Sequence, residues 1–168
     1  AQTCGGSVIA NFSNNGGTSW GADVSYTTNP TTLAWTLSSG DGTKTISARL
    51  RNGAAGTPWN LASQTIILDT TAPTTPASLS RTVSCSGSTR TVTLNWTAST
   101  DTYLTGYHVY VSSGGAYTLL TSTASLATTT TNSKTANTTI SYYVKAYDAA
   151  GNESSASPTI SLVKNQCS

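Results

Sequence analysis

Charged side chains are scarce in this sequence of 168 residues. Lysine, arginine, aspartate and glutamate make up 8% of it, with 8 basic and 6 acidic residues, whereas about a quarter of a typical soluble domain is charged. The basic residues are spread along the chain without a cluster, so the electrostatic signature of nucleic-acid binding is missing. We therefore expect no nucleic-acid partner.

Long hydrophobic runs are also missing. No apolar run approaches the roughly 18 residues that a membrane-spanning helix needs. The surface is instead supplied by Thr, Ser, Gly and Asn, and a polar uncharged surface is typical of extracellular proteins. The first residues, Ala1 to Thr3, resemble the mature end left after removal of a signal peptide. We expect a protein of the cell surface or the extracellular space, without a membrane span.

Cysteine is rare and widely spaced. The three cysteines are Cys4, Cys85 and Cys167, and none is part of a Cys-x-x-Cys pair, so zinc, iron–sulfur and covalent haem sites lack their usual signature. A disulfide fits an oxidising compartment better. Three cysteines allow three pairings, and each leaves one cysteine over.

The residues that catalysis needs are few as well. Most of the 6 acidic residues fall in turns, where a carboxylate accepts hydrogen bonds from the backbone. A glycosidase needs two carboxylates about 5 to 9.5 Å apart in a cleft, and His108, the one histidine, has no nucleophile-elbow sequence near it. We expect neither an enzyme nor a cofactor site.

A calcium site is the alternative considered for the acidic turns. Asp101, Asp148 and Asn152 stand at turn positions that can donate oxygen ligands, but calcium takes about six to eight oxygens. Capping of the turns by these side chains is the favoured interpretation.

From about Ala77 onward, apolar residues alternate with polar ones between turn signals, as the strands of a β-sandwich require. The alternating residues are Val92, Leu94 and Trp96, then Tyr107, Val109 and Val111, then Tyr142, Val144 and Ala146. This pattern predicts three strands whose core includes Trp96, Tyr107 and Tyr142.

Three segments of the second half closely resemble the B, C and F strands of a fibronectin type III domain. They are Leu94-Asn95-Trp96, Gly106-Tyr107-His108-Val109-Tyr110 and the segment from Tyr142 to Ser154. The resemblance covers about residues 77–164 and implies a seven-stranded sandwich. It also implies that Tyr142, or alternatively Tyr143, is the corner tyrosine whose hydroxyl bonds to nearby backbone.

The same resemblance implies a disulfide. In its topology the A–B turn and the end of strand G lie at the same pole of the sandwich. Cys85 and Cys167 would pair there, and the bond would hold the last strand in place. Cys4 would then be a free thiol or an intermolecular link. The alternative is that Cys4 pairs within the chain and one of the other two is left over.

Strand alternation also predicts an exposed face on the neighbouring C and F strands. Its members would be His108, Tyr110, Tyr143, Lys145 and Tyr147. Such a composition favours contact with a partner or a sugar ring. The alternative is cross-strand aromatic pairing without a ligand.

The first half, about residues 8–73, resembles the closing strands of a bacterial immunoglobulin-like repeat. The resemblance lies in Leu33 to Thr36, Gly40 to Ile46 and Gln64 to Pro73. Asp41-Gly42 predicts a tight hairpin after a strand that places Trp35 in the core. The opening strands of the repeat are missing, and another chain could supply them.

These observations predict an all-β protein of two tandem immunoglobulin-like/fibronectin type III sandwiches. Residues 1–72 would form the incomplete sandwich, 73–76 a linker and 77–168 the second sandwich. The function predicted first is a structural subunit of a bacterial surface filament, pilus-like or adhesive appendage. The partner that completes the incomplete sandwich would be a further copy of this protein itself or another filament subunit. The alternative is an accessory module of a secreted enzyme or adhesin that binds carbohydrate or another surface, with surface glycans as partners.

Overall fold

The computed structural model divides the chain into two compact units, residues 1–70 and 71–168. The residues that it describes are 8–26, 33–52, 60–87, 89–125, 127–133 and 139–163. Within these ranges all regular structure is β-strand.

The first unit contains one antiparallel sheet. Its strands are β1 (Val8–Ser13), β2 (Val24–Tyr26), β3 (Gly42–Asn52) and β4 (Asn60–Leu68), in the order β2-β1-β3-β4. A second sheet that would close a sandwich is not among the described residues of this unit.

One face of this sheet is apolar and only partly covered. Ala10 and Phe12 of β1 lie beside Leu50 and Ala48 of β3, because residues in register share a face. Ala10 is buried, yet 37% of Leu50 is exposed. The described part of the first unit therefore has a small core.

The opposite face of the sheet is polar. Asn11 is buried, and its Nδ2–H groups donate to the Gly21 carbonyl at 2.7 Å and to Asp23 Oδ1 at 2.9 Å. Its Oδ1 accepts from Arg49 Nε at 3.1 Å, and Arg51 pairs with Asp23 at 2.9 Å. These bonds hold the segment after β1 against the sheet.

The predicted hairpin before β3 is wrong, and so is the core position of Trp35. Residues 33–39 are not in a strand, and 36% of Trp35 is exposed. Its ring packs on Phe12 with centroids 5.3 Å apart, while its Nε1–H donates to Asn14 Oδ1 at 2.7 Å. Gly42 has the expected positive φ of 113°. However, β3 pairs with β1 and β4 and not with the segment just before it, because residues distant in sequence also determine which strands pair.

The second unit is a sandwich of a four-stranded and a three-stranded sheet, ordered β11-β10-β7-β8 and β5-β6-β9. The strands are β5 (Ala77–Ser86), β6 (Thr89–Thr97), β7 (Leu104–Ser112), β8 (Thr118–Thr123), β9 (Ala127–Ser133), β10 (Ile140–Asp148) and β11 (Ile160–Leu162).

The core of the second unit lies between its sheets. Burial alternates along β6 and β10 from residue to residue, as the sequence pattern predicts. Trp96, Tyr107 and Tyr142 are all buried, and the first two rings meet edge to face at 5.4 Å. The Tyr107 hydroxyl oxygen accepts from the Ser99 N–H at 2.9 Å, so this buried phenol is satisfied.

The segment predicted to be a linker, residues 73–76, is attached to the second unit. The Thr74 N–H donates to the Thr100 carbonyl at 3.1 Å, and the Thr100 N–H donates to Thr74 Oγ1 at 2.7 Å. These reciprocal bonds hold the segment against the loop after β6. Pro76, the last residue of the predicted linker, is buried.

The predicted disulfide falls partly outside the described residues. Cys85 lies near the end of β5 and is disulfide-bonded. Cys4 and Cys167 are both outside the described ranges. The pairing of Cys85 with Cys167, and the intermolecular role of Cys4, therefore stay predictions.

Candidate functional site

The outer face of β7 and β10 carries the polar and aromatic side chains predicted for it. Alternation along each strand turns these side chains away from the core. Register then sets the neighbours, because Tyr143 is opposite Tyr110 and Lys145 is opposite His108. All five predicted residues, including Tyr147, lie on this one face, and their role in contacting a partner stays a prediction.

Five rings on this face touch in sequence, and we call them the aromatic strip: Tyr147, His108, Tyr110, Tyr143 and Tyr117. Tyr147 and His108 stack at 4.1 Å, and Tyr110 and Tyr143 stack at 4.8 Å. His108 meets Tyr110 edge to face at 6.4 Å, and Tyr117 is tilted against Tyr143 at 4.6 Å. The inner rings are thus covered on at least one side by their neighbours.

A single carboxylate, Glu153, joins the polar ends of this face. Its Oε1 accepts from His108 Nδ1–H at 2.6 Å and from the Tyr110 hydroxyl at 3.1 Å. Its Oε2 accepts from Lys145 Nζ at 3.0 Å. The ionised carboxylate therefore orients an imidazole, a phenol and an ammonium together.

These contacts shift three pKa values. Burial raises the pKa of Glu153, but the hydrogen bonds from His108, Lys145 and Tyr110 outweigh it and hold the pKa below its ordinary value of 4.5. The hydrogen bond to Glu153 raises the pKa of Lys145. Burial, and next the hydrogen bond to Glu153, raise the pKa of Tyr110. The face therefore stays ionised as a carboxylate–ammonium pair at neutral pH.

Sequence reasoning placed neither Glu153 nor Tyr117 on this face. Glu153 reaches it because the chain reverses after β10 and forms an antiparallel bridge between Glu153 and Tyr147. The available signal was the turn sequence from Asp148 to Asn152, which predicts such a reversal. Tyr117 precedes β8, whose sequence Thr-Leu-Leu-Thr-Ser-Thr has no alternation of apolar and polar residues from which its position could be inferred.

The turn after β10 is built on Asp148. This carboxylate is buried and accepts from the N–H groups of Ala150 and Asn152, both at 2.9 Å, and from Asn152 Nδ2 at 2.8 Å. Burial raises the pKa of Asp148, but the hydrogen bonds from Asn152, Ala150 and Gly151 outweigh it and lower the pKa. The residue thus acts as the turn cap that the sequence favoured.

The two acidic residues considered for calcium lie near each other. Carboxylate oxygens of Asp101 and Asp148 are within 4.8 Å, and Asp101 Oδ1 accepts from the Tyr103 N–H at 2.6 Å. Both carboxylates therefore serve turns of the second unit, and calcium binding there stays an untested alternative. The hydroxyl-to-backbone bond predicted for Tyr142 also stays a prediction.

The outer face of β7 and β10 combines the apolar ring surface of the aromatic strip with one anion, one cation and several hydroxyl groups. His108, Lys145 and Glu153 keep 24%, 28% and 30% of their side chains exposed. Partly exposed polar groups beside rings can bind a ligand that has both apolar faces and hydroxyl groups. Pyranose sugars have this composition.

Comparisons with known sequences give relatives but no family model, since none matches this chain. Over 95 residues, 56% of the chain, it is 43% identical to chitinase A1 of Niallia circulans. Over the same length it is 44% identical to exoglucanase B of Cellulomonas fimi and 42% identical to chitinase Chi52 of Paenibacillus xylanexedens. The chain spans 12%, 8% and 17% of the length of these curated relatives, respectively.

Comparison with solved structures identifies the fold. The chain is similar to a crystal structure of chicken CNTN1 FN1–FN3 domains, with a TM-score of 0.62 and 19% sequence identity. The similarity covers 95% of this chain and 54% of that one. The predicted all-β fold of the immunoglobulin-like/fibronectin type III class is confirmed. The described residues include no helix with the length and hydropathy needed to cross a membrane.

Proposed function

We propose that this chain is a non-catalytic accessory part of a secreted enzyme that acts on a polysaccharide, and that the aromatic strip contacts the polysaccharide. The observation that carries the proposal is the strip itself, five rings in continuous contact beside one carboxylate and one ammonium. Similarity to two chitinases and an exoglucanase supports it. The small share of each relative that the chain spans fits an accessory part.

The geometry of the strip indicates how a sugar chain would bind. Tyr143 has Tyr110 within 4.8 Å and Tyr117 within 4.6 Å, so this inner ring already packs against two other rings. The end rings, Tyr117 and Tyr147, would supply faces for the C–H side of a pyranose. Glu153 and Lys145, between the ends, would hydrogen-bond sugar hydroxyl groups.

The filament hypothesis has less support than this one. The relatives found by sequence carry the names of chitinases and an exoglucanase, and they favour the accessory-module alternative. Secretion follows from the same proposal, because polysaccharides such as chitin and cellulose lie outside the cell. Catalysis would then belong to another part of such an enzyme.

A binding isotherm on insoluble chitin and on cellulose tests the proposal. The chain should be depleted from solution by at least one of the two polysaccharides. Tyr117→Ala and Tyr147→Ala should each weaken binding by about three- to tenfold, because each removes an end ring of the strip. Depletion of the protein from the supernatant measures the association constant.

Tyr103→Ala is the matched control, since Tyr103 is a half-buried tyrosine of the same unit outside the strip. It should leave the association constant unchanged, and thermal unfolding should verify that all three variants fold. Absence of binding to both polysaccharides, or equal losses for the control and the end rings, would contradict the proposal. The strip would then be cross-strand aromatic pairing alone.

A further inference from the structure

The outer edge of β4 is open within the described part of the chain. β4 is the last strand of its sheet and pairs there on one side only, with β3. Apolar side chains on both of its faces reach solvent, because 65% of Leu61, 49% of Ile66 and 53% of Ile67 are exposed. An exposed strand edge is a template for pairing with another strand.

β4 lacks the features that usually protect such an edge. Its sequence, Asn-Leu-Ala-Ser-Gln-Thr-Ile-Ile-Leu, contains no charge, proline or glycine. Its register with β3 runs from Leu68 to Asn60 without a bulge. By contrast, the edge strand β11 spans only three residues, and the pairing of β8 with β7 is interrupted by a register shift. Natural sheets use such short or bulged edges to prevent pairing.

The exposed pattern of β4 is complementary to itself. If two copies of β4 pair antiparallel with Gln64 on the two-fold axis, residues equally far from Gln64 lie opposite each other. Leu61 then lies beside Ile67 of the second copy, and Ala62 lies beside Ile66. Opposed residues share a face, so each exposed apolar side chain meets another apolar side chain.

We propose that β4 pairs with β4 of a second copy of this chain, in the antiparallel register centred on Gln64. The two four-stranded sheets then become one continuous sheet across a two-fold axis. Isologous pairing of this kind closes after two copies, so it forms a dimer rather than a fibre. The proposal does not depend on glycan binding, because the aromatic strip lies in the second unit.

Sedimentation velocity of the full chain over a concentration series tests the dimer. The wild-type chain should form a dimer whose fraction rises with concentration. Leu61→Lys should raise the dissociation constant by about tenfold or more, because the substitution occurs twice in a two-fold interface. Leu119→Lys is the matched control, since Leu119 is 53% exposed on the edge strand β8. It should leave the dissociation constant unchanged.

A charge-swap experiment tests the register independently of folding defects. Ile67→Glu alone should also weaken the dimer. A mixture of the Leu61→Lys and Ile67→Glu chains should dimerise again, since the new ammonium and carboxylate then lie opposite each other. A wild-type chain that is monomeric at every concentration overturns the proposal, as does a Leu61→Lys variant that dimerises like the wild type. A mixture that stays monomeric overturns the register.

Discussion

At the scale of single residues, Glu153 determines how the exposed face of β7 and β10 is organised. Three donors from two strands converge on its two oxygens, at 2.6, 3.0 and 3.1 Å. His108 and Tyr110 share one oxygen, whereas Lys145 uses the other. Removal of the charge would therefore release three side chains at once.

Glu153→Gln should lower the free energy of unfolding at neutral pH. It should also make the free energy of unfolding depend less on pH in the acidic range. Because the pKa of Glu153 is lowered from 4.5 in the folded protein, the ionised form stabilises the fold above that pH. This contribution is lost as the pH falls through the lowered pKa. We expect a loss of about 1 kcal/mol at neutral pH, measured by urea unfolding. The difference from wild type should shrink progressively as the pH is lowered below 4.5; equal stability at neutral pH would contradict this prediction.

Gly106 makes room for the Tyr147 end of the strip. A Cβ atom at Gly106 would lie 2.7 Å from the Thr123 carbonyl oxygen and 3.2 Å from the Tyr147 hydroxyl. The first contact is with a backbone atom of β8, so relieving it would require the strand itself to move. Gly106→Ala should therefore destabilise the protein by about 1–3 kcal/mol, as measured by urea unfolding. Gly115→Ala, whose Cβ would meet nothing within 4 Å, is the control and should be near neutral.

At the scale of elements, serine hydroxyl groups complete the edge of β10 where it lacks a strand partner. The Val144 N–H donates to Ser157 Oγ at 3.0 Å, and the Ala146 N–H donates to Ser154 Oγ at 2.9 Å. Both serines are buried. The N–H groups of Ser154 and Ser157 donate in return to the Ala146 and Val144 carbonyls, both at 2.9 Å. Each serine thus bonds β10 through both its hydroxyl and its backbone, where a regular strand ladder would use backbone groups alone.

Ser157→Ala should leave the buried Val144 N–H without its acceptor. The expected cost is about 1–3 kcal/mol, since a buried donor loses its hydrogen bond. Chemical denaturation measures it. Ser155→Ala is the control because Ser155 is exposed, and its effect should be within about 0.5 kcal/mol. Similar effects for the two variants would show that the Ser157 bond contributes nothing.

Strands with one buried face could be predicted from the sequence, whereas strands exposed on both faces could not. Alternation predicted β6, β7 and β10 because each turns every second side chain into the core. β4 is exposed along nearly its whole length, so no burial pattern marks its pairing. Four rings of the aromatic strip followed from alternation, but Tyr117 did not, and Glu153 came from a chain reversal that periodicity does not report. The Trp35 error arose because a local turn signal does not determine which strands pair.

At the scale of the whole molecule, the two units differ in how much apolar surface they bury. Ten buried hydrophobic residues form the core of the second unit, whereas Ala10 is the buried hydrophobic residue found in the described part of the first. Apolar burial is the main stabilising contribution to folding. The units therefore differ in expected local stability.

Hydrogen exchange of the intact chain should reveal this difference. Amides of β1 and β3 should exchange at least about ten times faster than those of β6 and β10, because protection follows local unfolding free energy. Mass spectrometry of peptic fragments measures both sets in one sample. The edge strand β8 provides an internal control, with exchange faster than β10 in the same unit. Equal protection of β1 and β10 would contradict this prediction.

The closely packed tyrosines of the strip also have an optical consequence. Phenol rings 4.6 to 4.8 Å apart lie close enough for their electronic transitions to couple. Tyr110, Tyr143 and Tyr117 should therefore add a coupling contribution to the near-ultraviolet circular dichroism beyond the signal of separate tyrosines. A ligand that tilts any of the three rings would change that signal. Ligand binding to this face could therefore be followed by circular dichroism without a label.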